Sequence, residues 1–301
     1  MPRYRDNSNF SLSLLRPSQE ILQCCGLIIQ IAKVTLFITI GLSFLLLSEA
    51  IAEETNQSLD LDNDGFVDVV LNDWDFTLGA GVGIGPDYDG SDDYEIGALP
   101  IIEASWRDDT FFISSESGIG ATLLRSEHFS SGLAFNYDGG REDGDNSALR
   151  GLGDIDDGIN VTAFAGLDFG QYALGVDVTQ DLSGDDKGTL VTLGADYRFS
   201  FLDDKLMFEL GPEVSWASDD YMNTYFGVDG KQAARSKYNQ FDADAGFKDI
   251  GLHLNAMYDF DENWAITGGI GYARLLGDAA DSPFVESKDQ FFSLFAVSYS
   301  F

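Results

Sequence analysis

The stretch QFFSLFAVSYSF, residues 290–301, decides the fold. Phe291, Phe295, Val297, Tyr299 and Phe301 share one face at a period of two, while Ser298 and Ser300 take the other. This is the alternation of a strand with one apolar and one polar side. Chain ends usually fray in water. A run this aromatic is instead expected to be held within a sheet, as its closing strand.

The same period runs back as far as Trp74. Trp74, Phe76, Leu78, Ala80, Val82 and Ile84 alternate with Asp75, Thr77, Gly79, Gly81, Gly83 and Gly85. Phe129, Leu133, Phe135 and Tyr137 oppose Ser130, Gly132, Asn136 and Asp138. Tyr172, Leu174, Val176 and Val178 oppose Gly175, Asp177 and Thr179. Leu206, Phe208, Leu210, Val214 and Trp216 face away from Glu209, Gly211 and Glu213. Leu252, Leu254, Ala256, Tyr258 and Phe260 face away from His253, Asn255 and Asp259, and Trp264, Ile266, Ile270 and Tyr272 form a further apolar face. Strands are also expected near 94–106, 110–124, 159–169 and 190–201. No helix-period segment competes after residue 52, so the class is all-β.

Alternation alone does not separate a soluble sandwich from a membrane barrel. Three features favour the barrel. Strands of about ten residues match a tilted bilayer crossing. Aromatic residues such as Trp74, Tyr172, Trp216, Tyr258 and Trp264 sit at the ends of the apolar faces, where hydrocarbon meets headgroups. Connections alternate between tight (FGQ, FLDDK, DFDEN) and long (139–158, 217–248, 276–289). In hydrocarbon every backbone group needs a partner, so the first and last strands must pair. A direct reading finds an odd number of strands, and single-chain bacterial barrels have an even one. Dividing 110–124 into two strands, or adding 66–72, restores parity. The expected fold is a closed antiparallel transmembrane β-barrel of twelve strands over 74–301, with ten as the alternative.

Composition bounds the function. The chain has 301 residues, a formal charge of −34, 44% hydrophobic residues, 33 Gly and 23 Phe. So many aromatics argue against disorder despite the charge. The acidity excludes nucleic acid as a partner, since a polyanion requires clustered Lys and Arg.

Residues 1–52 read as an N-terminal extension and signal peptide. An apolar run, VTLFITIGLSFLLL (34–47), follows Lys33, and Ala50 and Ala52 supply the small residues before a cleavage point near Ala52. A retained membrane anchor is the alternative. Both cysteines, Cys24 and Cys25, precede that point, leaving the exported chain without a disulfide. Residues 53–73 form an acidic linker. Within it Asp60, Asp62, Asp64, Gly65 and Asp68 match five positions of a calcium loop, but Leu71 stands where the closing Glu belongs. Calcium is the one cofactor the sequence suggests, against a plain solvated turn. The glycines of GVGIGPDYDG (81–90) are not a nucleotide loop, because their spacing is wrong and no helix follows.

Several stretches, in order, resemble the MipA/OmpV family of outer-membrane proteins: PDYDGSDDYEIGALP (86–100), GREDGDNSALRGLGDIDDG (140–158), YMNTYFGVDGKQAARS (221–236), FDADAGFKDIGL (241–252) and LLGDAADSPFV (275–285). The resemblance implies a small barrel in the Gram-negative outer membrane, among lipid and lipopolysaccharide. For the family's namesake it implies a scaffold joining a lytic transglycosylase to a penicillin-binding murein synthase. It supplies no catalytic residues, and the chain is expected not to be an enzyme.

Two functions follow as expectations. One is a scaffold for murein (peptidoglycan) enzymes. The other is a small porin-like channel whose lumen-facing Asp177, Glu209 and Glu213 favour cations. His253 joins these on the inner face. With His128 it makes only two histidines, few centres for acid–base chemistry. In the loops, Arg141, Arg150, Asp154, Asp156 and Asp157 read either as a salt-bridged plug over the lumen or as solvated surface. Lys231, Arg235 and Lys237 suit contact with anionic lipopolysaccharide, or are ordinary loop charge.

Overall fold

Uninterrupted period-two sequence gives each segment one face for lipid and one for the interior, and the backbone then has only its neighbours to bond. A computed structural model describes residues 74–107, 109–184 and 187–301. The signal peptide, the acidic linker and the calcium positions Asp60, Asp62, Asp64 and Asp68 lie outside the described residues.

Twelve strands follow one another among these residues. They are β1 (Trp74–Pro86), β2 (Tyr94–Trp106), β3 (Phe111–Ser114), β4 (Gly118–Arg125), β5 (Phe129–Asp138), β6 (Gly158–Asp168), β7 (Tyr172–Asp181), β8 (Thr189–Phe201), β9 (Leu206–Ala217), β10 (Gly246–Asp259), β11 (Trp264–Leu275) and β12 (Asp289–Ser300). Each pairs antiparallel with the next, and β12 returns to β1, closing the barrel. The segment 110–124 is indeed two strands, hinged at 115–117, which restores the even number.

The seam runs from Thr77 opposite Ser300 to Ile84 opposite Ser293. Within it the Thr77 and Ser300 hydroxyls lie 2.8 Å apart, and the Phe301 N–H donates to the Phe76 carbonyl at 2.9 Å. Phe291, Phe295 and Phe301 point outward and are exposed, while Val297 and Tyr299, on the same face, are partly covered by neighbours.

Outward apolar side chains such as Leu78, Val82, Leu174, Leu252 and Ile270 are exposed around the wall. So continuous an apolar surface is a belt for lipid. Aromatic residues rim it at the tight-turn end. Trp74 faces Trp106 across β1 and β2, Tyr172 faces Tyr197, and Trp264 faces Tyr299. The last two rings are 5.0 Å apart and perpendicular enough to pack edge to face. Among the described residues no helix is long and apolar enough to cross a membrane; the strands do so.

The long connections at the opposite end depart from the expectation of helix-free loops. They carry α1 (Asp219–Phe226), α2 (Gly230–Arg235) and α3 (Gly277–Asp281). Ser218 caps α1 by accepting from the Tyr221 N–H, and Asp219 and Asp220 oppose the positive end of its dipole. Asp229 and Gln232 form a capping box at the start of α2, with bonds of 2.6 and 2.7 Å. Helices of six or eight residues are too short to register as a helical period in the sequence.

Candidate functional site

Inside the barrel a charged rung crosses β8, β9 and β10. Asp196 and His253 both lie beside Gly211 of the strand between them. A Cβ on Gly211 would come 2.1 Å from Asp196 Oδ1 and 2.8 Å from His253 Cε1. Because that position has no side chain, the two groups meet over it, His253 Nε2 lying 3.1 Å from Asp196 Oδ1. Glu209 Oε1 is 3.9 Å from the same nitrogen. On its far side Arg198 Nε donates to Glu209 Oε2 at 3.0 Å, and Arg198 Nη1 to Asp168 Oδ2 at 2.6 Å.

Two carboxylates and an imidazole, with ligand atoms within 4.8 Å of one another, are donors of a kind that suits a borderline divalent ion. Arg198 also donates to Glu209, so that carboxylate is already engaged from its other side. Glu213 is buried on β9, two residues beyond Gly211 on the inward face, and Asp177 is half-buried on the inward face of β7. The structure therefore places Asp177, Glu209, Glu213 and His253 on the inner wall and brings Glu209 and His253 together.

The loop end carries a folded cap. Tyr221, Met222, Tyr225 and Phe226 of α1 pack with Ala279 and Ala280 of α3 and with Leu275. Beside them Tyr88, from the β1–β2 loop, packs with Leu149 and Leu152 of the β5–β6 loop, Val228 and Phe284. Four loops thus share an apolar core. The Tyr88 hydroxyl donates to the Phe284 carbonyl at 2.9 Å; burial, then the nearby Glu286 carboxylate, pushes this phenol's pKa far up. Burial, then neighbouring Tyr221 and Asp138, does the same to Tyr225.

The β5–β6 loop is therefore packed against its neighbours, though not by the salt bridges expected of it. Among the described residues no ion pair joins Arg141 to the loop acids. Its guanidinium lies 5.3 Å from the Phe284 ring centre and donates to the Tyr225 carbonyl. Burial lowers its pKa to about 10, leaving it cationic at neutral pH. Apolar packing by Ala148, Leu149 and Leu152 does what salt bridges were expected to do. Arg235, exposed in the β9–β10 loop, donates to the Gly151 and Leu152 carbonyls at 2.6 and 3.0 Å.

Buried lysines fasten the cap to the wall, and sequence reading missed them. Lys187 pairs with Asp138 at the top of β5, which also accepts from the Tyr225 hydroxyl at 2.9 Å. Lys248 pairs with Asp249 at 2.6 Å and Asp89 at 3.1 Å. A lone Lys beside an apolar strand start, as in GFKDIGL (246–252), is the signal that was available.

A sheet closed on itself, an apolar belt, an aromatic rim at the tight-turn end and a capped loop end define an outer-membrane-type β-barrel. A family model described as MltA-interacting protein MipA matches residues 78–301, and the chain belongs to that family. The MltA-interacting protein of Escherichia coli strain K12 is 25% identical over 221 residues, 71% of this chain and 85% of that protein. Outer membrane protein OmpV of Vibrio cholerae is 35% identical over 88 residues, 29% of this chain and 34% of that one. Among solved structures, a bacterial polysaccharide outer membrane secretin aligns with a TM-score of 0.40 at 12% identity, covering 75% of this chain and 98% of that one. The protein resides in the outer membrane. Barrels of this class turn short connections to the periplasm and long loops to the exterior.

Proposed function

We propose that the protein is a scaffold holding murein enzymes, a lytic transglycosylase and a penicillin-binding murein synthase, at the inner face of the outer membrane. The observation that carries this reading is the cap. A barrel whose outer loops pack on one another in a shared apolar core favours its periplasmic rim, rather than a through-pore, as working surface. That rim is acidic, with Glu127, Asp203, Asp204, Asp261 and Glu262 in its turns. In one turn Leu202, Asp203 and Asp204 all have positive φ, at 59°, 56° and 64°. Three consecutive left-handed non-glycine residues are costly, and Leu202, just before the two acids, is 63% exposed. The matched relative's name, MltA-interacting protein, supports a murein-enzyme partner.

The test is retention of a purified MltA-type transglycosylase on the detergent-solubilised, immobilised full chain. Retention is expected, and Asp203→Lys with Asp204→Lys is expected to weaken it by roughly tenfold, the order of two rim charges at about 0.7 kcal/mol each. No retention, or retention indifferent to the reversal, rejects the scaffold. The alternative, a small porin-like channel with a cation-favouring lumen, draws on Asp177, Glu209 and Glu213. Cation-selective conductance steps in a planar bilayer would favour it; the scaffold expects a silent membrane.

A further inference from the structure

We propose that the barrel wall has a lateral window in its outer-leaflet half, through which a single-chain acyl amphiphile enters the lumen from the membrane. The window follows from strand lengths. β2 has 13 residues, but its neighbour β3 has 4 and covers only Glu103–Trp106. At the tip of the β3–β4 hairpin the Ser115 N–H donates to the Ile102 carbonyl at 3.0 Å, and the Ser115 hydroxyl accepts from the Ile102 N–H. Among the described residues no strand pairs with this side of β2 above that point. Across the opening β4 reaches β5 only as far as Phe135. The frame is completed above by the β5–β6 loop, where Asn146 Nδ2 donates to Asp87 and Asp93 at 3.1 and 3.2 Å.

The bonding parity of β2 gives a second, independent indication. Ile102 bonds toward β3, and β2 pairs with β1 without a bulge. Pro100, Ala98 and Ile96 therefore direct their backbone groups at the window as well. Pro100 has no N–H to leave unmet, and proline is confined to such edges. Ile96, outward-facing there, is 73% exposed, more than any other large apolar side chain of the wall.

Open edges are not tolerated against bare hydrocarbon; they occur where protein, water or a polar ligand meets them. Behind the window the lumen is apolar on one side. Phe112 and Phe164 have ring centres 6.0 Å apart, and Leu99 packs with Phe292 and Leu294. The opposite wall carries Glu209 and His253. An apolar strip reached from the outer leaflet, beside free carbonyl and amide groups and beneath the packed cap, suits an alkyl chain with one polar head. It does not suit a hydrophilic solute crossing from outside.

The test uses the full chain with Cys24→Ser and Cys25→Ser, folded into liposomes, and a bimane fluorophore on Leu99→Cys. The probe is stearic acid bearing a nitroxide on its chain. Saturable quenching is expected. It should disappear when an alternating strand–turn–strand insert at Glu116 lengthens the hairpin along β2. Phe164→Asn, which keeps the window but removes an apolar contact, should weaken half-saturation by roughly tenfold, about 1.4 kcal/mol; this arm decides the matter if the insert does not fold. No quenching, quenching unaffected by the insert, or half-saturation unaffected by Phe164→Asn overturns the proposal. So does disulfide formation between copies carrying Ala98→Cys, which would make the edge an interface between barrels.

Discussion

At the scale of single residues, small and odd side chains control the interior. Gly211 reads in the sequence as one more strand glycine, and its inward parity was legible there. That Asp196 and His253 meet over it was not, because cross-strand register depends on turn geometry spread along the chain. Adding one methyl tests the arrangement. Gly211→Ala should lower stability by about 1–3 kcal/mol, the usual cost of overpacking. Urea unfolding in micelles, followed by tryptophan fluorescence, would measure it. Because the shortest approach is to the Asp196 carboxylate, at 2.1 Å against 2.6 Å to the Ala195 carbonyl and 2.8 Å to His253, Gly211→Ala combined with Asp196→Ala should cost somewhat less than the sum of the two changes. Simple additivity would mean that the methyl is accommodated elsewhere.

At the scale of elements, the wall and the cap differ in how openly the sequence declares them. Most of the strands were readable because each repeats a period of two over many residues; the even-number rule called for one more, and the structure supplies it by dividing 110–124 into β3 and β4. The cap was not readable as a core. Its apolar residues are scattered over four loops, so that Tyr88, Leu149, Val228 and Phe284 become neighbours only after the barrel closes. Helix α1 did carry a local signature, in Ser218 followed by two acids and by Tyr221 and Tyr225 one turn apart, but eight residues give a weak signal. The two layers should also separate in stability. Phe226 is fully buried in the cap, and truncating a buried Phe to Ala typically costs about 3–5 kcal/mol. Phe226→Ala is expected to expose 218–245 to limited proteolysis while the unheated barrel keeps its compact gel mobility. Loss of that mobility would mean that cap and wall unfold as one unit.

At the scale of the whole molecule, the ring of strands is unequal around its circumference. β10 pairs with both neighbours over most of its 14 residues, whereas β3 contributes 4 and β4 contributes 8. Opening free energy follows the number of bonds that must break together. Amide hydrogen exchange should therefore be fastest in the β3–β4 hairpin and slowest across β8–β11. Within β2 the expectation is finer, because the two edges of that strand meet different surroundings. Glu95, Gly97, Leu99 and Ile101 direct their N–H groups at β1, and Ile96 and Ala98 direct theirs at the window. If water reaches the window, as an unpaired edge at membrane depth requires, Ile96 and Ala98 exchange quickly while Gly97 and Leu99 stay protected. A period of two in exchange rate over 95–101 is the expected result in folded, lipid-embedded protein, read residue by residue by NMR. Uniform protection along β2 would show that the edge is covered and that the wall is continuous after all.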